Sequence, residues 1–149
     1  MGRSRFRQWP VGGKRLSFSR TECYNPAMFR LMTRDFAKWA DKNRIACSDL
    51  SSALDEIGRG LVDADLGGHL VKKRIPLQGR GKRGGARAIL CGREGDRIIF
   101  LHGFAKNEKS DLSPKELAAF RRLADILVAL ETAQVARAID RGIFIEVKP

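Results

Sequence analysis

Cysteine, histidine and tyrosine are all scarce in this chain. Its three cysteines, Cys23, Cys47 and Cys91, are odd in number and far apart, and no Cys-x-x-Cys pair occurs. That spacing argues against a disulfide framework and against a structural zinc site, and it suits a reducing cytoplasm. His69 and His102 stand isolated from one another and from the cysteines, so no metal-ligand spacing is present and no metal or cofactor is expected. No apolar run reaches membrane length. The N-terminal segment is basic without an apolar core, unlike a secretory signal. No Ser-His-Asp order, no carboxylate pair and no Walker loop of the form GxxxxGK[ST] can be found.

What the chain has in excess is positive charge. The formal net charge is +12 over 149 residues, and it is unevenly spread. Residues 71–93 carry eight Lys or Arg and not one acid, and residues 1–30 carry seven against a single Glu. The other two stretches, 31–70 and 94–149, are close to balance. Cations concentrated on a folded segment read as a footprint for a polyanion. Anionic lipid would also attract them, but no amphipathic apolar helix accompanies either block, so no membrane partner is expected. The length favours one domain. Residues 1–26, with Arg3, Arg5, Arg7, Lys14, Arg15 and Arg20 among Gly and Ser and without apolar periodicity, read as a loose, disordered arm. The domain is expected to occupy 27–149.

Within that domain the pattern predicts an α+β fold. Met28 to Met32 reads as a short strand, and Thr33 as the cap of a helix reaching about Arg44 with Phe36, Trp39 and Ala40 at helical spacing. Ser48 is placed as the cap of a second helix whose buried stripe is Leu50, Leu54 and Ile57 and which Gly58 and Gly60 stop. Leu61 to Gly68 is read as a loop. His69 to Leu77 has strand alternation, with Val71, Lys73 and Ile75 on one face and Leu70, Lys72 and Arg74 on the other. Pro76 limits pairing at its end. Gln78 to Gly85 is read as a Gly/Arg/Lys loop, Ala86 to Cys91 as a strand, and Arg97 to Phe104 as a strand apolar on both faces and hence central. Ser113-Pro114-Lys115-Glu116 is a helix start with a capping box, Leu117, Phe120, Ala124, Leu127 and Leu130 its stripe. Thr132 caps a further helix ending at Gly142, and Ile143 to Val147 adds a last strand. The order β-α-α-β-β-β-α-α-β, with successive strands joined by short turns, implies a small, mainly antiparallel sheet with two N-terminal and additional C-terminal helices.

Two segments stand out for chemistry. In Val71 to Arg87, three consecutive cations, Lys72, Lys73 and Arg74, precede a run containing Arg80, Lys82, Arg83 and Arg87 among glycines. Burying such cations without counter-ions would cost several kcal/mol each, roughly, so they are expected to face water or a polyanion. The glycines remove side-chain bulk and let backbone N–H groups approach phosphate. An edge protected by lysine and proline is the plainer structural role. In Phe100 to Lys109, Lys106 sits where a rigid strand hands over to a loop, a usual place for functional groups. His102, on the periodicity, shares a face with Ile98, Phe100 and Phe104 and reads as a core residue.

With these residues in view, the chain resembles the RelE/ParE toxin superfamily of type II toxin–antitoxin systems. The resemblance runs from about Met28 to Pro149. It rests on Asp63-Ala64-Asp65-Leu66-Gly67-Gly68, the basic strand Lys72-Lys73-Arg74, the segment Gly79 to Gly85, and Gly103-Phe104-Ala105-Lys106-Asn107-Glu108 followed by Leu112-Ser113-Pro114-Lys115-Glu116-Leu117. The last signature looks like the HigB-like, phage-associated branch. The resemblance implies a RelE-like fold and an endoribonuclease that cuts mRNA on the ribosome by attack of the ribose 2′-OH on the adjacent phosphate. It also implies a cytoplasmic protein neutralised by a helix-turn-helix antitoxin in a hetero-oligomer. Carried over, Lys72, Arg74, Arg87 and Lys106 are the catalytic candidates. Arg87 and Lys106 would stabilise the charged phosphorane, Arg74 would grip the phosphate, and Lys72 would serve as base if neighbouring cations lower its pKa. Lys73, Arg80, Lys82, Arg83 and Lys109 would bind RNA. Relatives add a C-terminal tyrosine or histidine near the site. Here the single tyrosine is Tyr24, in the arm, which leaves the general acid unassigned.

A second reading is a non-catalytic basic module that docks on nucleic acid, on gyrase as ParE-like members do, or within a phage regulatory complex. Fold alone does not separate the two.

Overall fold

The computed structural model describes residues 28–77, 81–93, 95–106 and 111–148, with the backbone alone over 81–84. The N-terminal arm lies outside the described residues. Strand β1 (Phe29–Thr33) leads into helices α1 (Arg34–Lys42) and α2 (Cys47–Gly58). Strands β2 (Ala64–Gly67), β3 (Leu70–Leu77), β4 (Gly81–Arg93) and β5 (Arg97–Ala105) follow. Helices α3 (Pro114–Ala129) and α4 (Thr132–Asp140) and strand β6 (Phe144–Glu146) complete the domain. The fold is α+β, as the pattern predicts. Its six strands lie in the order β2-β3-β4-β5-β1-β6, every pair antiparallel except β1 with β5.

Two helix starts are written in local chemistry. The Thr33 hydroxyl accepts from the Phe36 N–H at 3.1 Å, and Ser113 and Glu116 exchange the two hydrogen bonds of a capping box at 3.1 and 2.8 Å. Two other expected caps are displaced. Helix α2 begins at Cys47, before Ser48, with Ala46 at the cap position and no side-chain bond. Helix α4 takes Glu131 as its cap, with the Glu131 N–H donating to Gln134 Oε1 at 2.7 Å, and Thr132 is already helical.

The sheet is apolar on both faces, and each face has its own helices. Helices α1 and α2 cover Val71, Ile75, Ala86, Ala88, Leu90, Ile98 and Phe100 with Phe36, Leu50, Leu54 and Ile57. Helices α3 and α4 cover Leu70, Ile89, Cys91, Ile99, Leu101 and Phe104 with Ala124, Leu127, Val128 and Val135. A sheet buried on both sides needs near-continuous apolar strands in its middle, and β5 supplies one. At Gly103 of β5 a Cβ would collide with the ring of Trp39 from α1.

The expected loop 61–68 contains β2, which pairs Ala64 with Lys72 and Asp65 with Val71. Four residues with two glycine-flanked turns carry too little alternation to announce a strand. The expected loop 78–85 is shorter too, because β4 starts at Gly81 and pairs it with Leu77. Pro76, which lacks an N–H, sits at a register shift between Ile75 and Leu77, so the strand is interrupted there and then rejoins the sheet.

Candidate functional site

The site follows from the register of three strands. On the face toward α3, Lys72 of β3 lies opposite Ile89 of β4, and Ile89 opposite His102 of β5. In the next row Arg74 lies opposite Arg87, and Arg87 opposite Phe104. Directly opposed residues project to the same side of a sheet. The face therefore presents Lys72, Arg74 and Arg87 beside the core that α3 and α4 cover. An open depression of about 420 Å³ is lined by Val62, Asp63, Ala64, Lys72, Arg74 and Arg87.

Two carboxylates hold these cations in place. Lys72 Nζ donates to Asp111 Oδ2 at 3.2 Å, and Arg74 Nε donates to Asp63 Oδ1 at 3.2 Å. Arg87 Nη1 donates to the Ala86 carbonyl at 3.3 Å. The Leu112 backbone N–H is the main cause that holds the Asp111 carboxyl below its ordinary value of 3.8; burial opposes it, and Lys72 and Arg87 add smaller lowering effects. Asp111 is thus ionised at neutral pH and sits among the cations. Cys91, on the same side of the sheet, is no nucleophile, since burial pushes its thiol up to about 12.

Lys73 departs from expectation. The three consecutive cations do not share one exposure: Lys73 points to the α1/α2 face, is buried, pairs with Glu56 Oε1 at 2.7 Å and donates to the Leu61 carbonyl at 2.9 Å. It is a satisfied core charge on the opposite side of the sheet from Lys72 and Arg74, and it does not join them in facing RNA. Lys106 lies one residue beyond β5, exposed, its N–H donating to the Gly85 carbonyl at 3.2 Å. Arg80 and Lys109 lie outside the described residues. Lys82 and Arg83 belong to β4 by their backbone, and their side chains lie outside the described set.

His102 also departs from expectation. Strand β5 carries a bulge: Ile89 pairs with His102 but Leu90 pairs with Phe100, leaving Leu101 as the extra residue. The bulge reverses the alternation. Ile98 and Phe100 face α1 and α2, while His102 and Phe104 face α3. His102 is half-buried rather than core, its ring 5.0 Å from that of Phe120 and 6.1 Å from that of Phe104. Sequence reasoning passed over Asp111 as well. Its place two residues before the Ser113 capping box was the available signal.

The fold with its basic sheet face defines a small toxin domain of the RelE kind. Residues 28–147 match the family described as RelE toxin of RelE / RelB toxin-antitoxin system, and the chain belongs to that family. Its partner is accordingly a cognate antitoxin. Comparison with curated proteins finds no match. Among the described residues no helix is long and apolar enough to cross a membrane.

Proposed function

We propose that this protein is a ribosome-dependent mRNA endonuclease that inhibits translation, from the HigB-like branch of its family. The observation that carries this reading is the convergence of Lys72, Arg74 and Arg87 on one sheet face, lining one depression. Cleavage by the ribose 2′-OH forms a new bond to phosphorus and breaks the bond to the 5′-oxygen. The phosphorane between those events carries extra negative charge, which cations fixed in advance stabilise without reorganisation. Arg87 and Lys106 serve there, Arg74 grips the scissile phosphate, and Lys72 orients it. Asp63 and Asp111 hold Arg74 and Lys72 extended across the face before RNA arrives. Arg80, Lys82, Arg83 and Lys109 add affinity through phosphate contacts. The protein works in the cytoplasm and is silenced in a hetero-oligomer by a helix-turn-helix antitoxin whose acidic surface complements residues 71–93.

Mapping of RNA 5′ ends in cells after induction tests the reading. Discrete new ends inside translated codons are expected. Growth arrest without new ends would leave a basic binding module, acting on gyrase or another nucleic-acid complex, as the better account.

A further inference from the structure

Cleavage of RNA through its own 2′-OH needs a group that takes the hydroxyl proton. Arg74 and Arg87 cannot supply it, because a guanidinium stays protonated. Lys72 donates to Asp111, which is the posture of a charge holder rather than of a base. Among the described residues that line the depression, Asp63 alone is a carboxylate. We propose, resting on the endonuclease reading above, that Asp63 is the acceptor of the 2′-OH proton. The 2′-oxygen loses its proton to the Asp63 carboxylate as it bonds to phosphorus. The P–O5′ bond then breaks, and O5′ takes a proton from water in the open depression. Asp63 returns its proton to solvent, and the products are a 2′,3′-cyclic phosphate and a 5′-hydroxyl.

Asp63 stands directly before the edge strand β2, and its N–H donates to the Lys72 carbonyl at 2.9 Å. Its backbone is thus tied to the strand that carries Lys72 and Arg74. The carboxylate meets Arg74 through one atom on each side, Oδ1 accepting from Nε at 3.2 Å. Both oxygens of a carboxylate accept, and a guanidinium has four further N–H donors on its two Nη groups. Oδ2 takes no part in the bond to Arg74 and is left to the 2′-OH, while the Nη edge is left to the phosphate. The 2′-oxygen and the phosphate it attacks belong to one nucleotide, so a single ion pair serves two adjacent groups of the same substrate. The Asp63 side chain is 18% exposed against 45% for Arg74, so the acceptor is sheltered but open to the depression. A carboxylate beside a phosphate repels it, and Lys72, Arg74 and Arg87 around the same depression offset that repulsion.

The test uses the full chain on purified translating ribosomes, with cleavage rate and co-sedimented protein measured together. General acid–base catalysis typically contributes on the order of 10²–10⁴ in rate. Asp63→Asn keeps an oxygen that accepts from Arg74 Nε but cannot take the proton, so it should lose about a hundredfold or more in cleavage. Its ribosome association should equal or exceed that of wild type, because a negative charge beside the bound phosphate is gone. On an Arg74→Lys background the same substitution should again cost a large factor. Formate added at constant ionic strength should speed cleavage by Asp63→Ala, where it can occupy the vacated space, and leave wild type unchanged. Near-normal cleavage by Asp63→Asn, or a parallel loss of association, would overturn the assignment. So would an absence of further loss on the Arg74→Lys background, which would mean that Asp63 acts only by holding Arg74, or a failure of formate to speed Asp63→Ala. A wild-type protein that leaves the message uncut would overturn the endonuclease reading itself, a separate result from the pattern among the variants.

Discussion

Lys73 Nζ lies 2.7 Å from Glu56 Oε1 beneath α2, while its neighbour Lys72 points to the opposite face of the sheet. A buried ion pair contributes little net stability, but removing one partner strands the other charge in low dielectric. Lys73→Ala should therefore cost up to ~3–5 kcal/mol, because Glu56 Oε1 loses its bond to Nζ. Lys73→Met with Glu56→Leu together should restore most of it. Chemical denaturation of the three variants checks this, and ribosome association of the folded double variant should equal that of wild type. A single variant as stable as wild type would show that the pair bears no structural weight.

Gly103 owes its place to Trp39. A methyl group there would overlap the indole ring, which is half-buried against the α1/α2 core and tilted against Phe36. Overpacking of this kind costs ~1–3 kcal/mol. Gly103→Ala should lower the thermal midpoint by several degrees, and Trp39→Leu should relieve part of that loss. Additive losses in the double variant would mean that the two positions do not press on one another.

Much of this architecture was legible before any coordinates, and the exceptions have physical causes. The Thr33 and Ser113 caps, the central place of Arg97 to Phe104 and the cationic alternation of Lys72 and Arg74 all follow from local rules that the tertiary structure leaves intact. The Leu101 bulge was not legible, because one extra residue in a strand inverts every later side chain without altering composition. That single event moved His102 from the α1/α2 face, where the alternation puts it, to a half-buried position against Phe120 of α3. The burial of Lys73 was hidden for a related reason: its partner Glu56 comes from α2, distant in sequence. Arg97 is similar. It opens the strand that the pattern makes apolar on both faces and is itself fully buried, with Nη1 donating to the Leu127 carbonyl at 2.8 Å and Nε to Asp96 Oδ2 at 2.8 Å. It thereby ties down the C-terminal end of α3, a contact that only the packing of α3 on the sheet creates.

The Asp111 carboxyl offers a titration readout. Its folded value lies below 3.8, chiefly through the Leu112 N–H, with Lys72 adding to that against the opposing effect of burial. A depressed acid stabilises the fold above its unfolded value and loses that contribution as pH falls through the folded one. The Lys72–Asp111 pair should therefore persist at pH 5 and above and be lost only below pH about 4. Carboxyl-detected NMR should show a midpoint below 3.8 for Asp111, moving upward in Lys72→Ala but not fully to the unperturbed value, since the Leu112 bond remains. A midpoint indifferent to Lys72→Ala would remove the pair from solution.

The cations of the site should divide by role. Arg87 stands in the middle of three paired strands, its backbone held between Arg74 and Phe104, and Lys106 follows directly on β5 with its N–H bonded to Gly85. Charges on such ordered positions are in place before the substrate arrives, and a preorganised charge counts most where negative charge accumulates in the transition state. Removing one donor of this sort typically costs on the order of a hundredfold or more in rate. Arg83 belongs to the glycine-rich stretch, where a cation chiefly contributes counterion release and hence affinity. Arg87→Ala and Lys106→Ala should abolish cleavage and growth arrest while ribosome association stays nearly intact. Arg83→Ala should weaken association and leave cleavage at saturating ribosome close to wild type. Purified translating ribosomes, with cleavage rate and co-sedimented protein measured in the same samples, separate the two effects. Should all three variants lose binding and cleavage in parallel, the face would be an electrostatic patch without a catalytic division of labour.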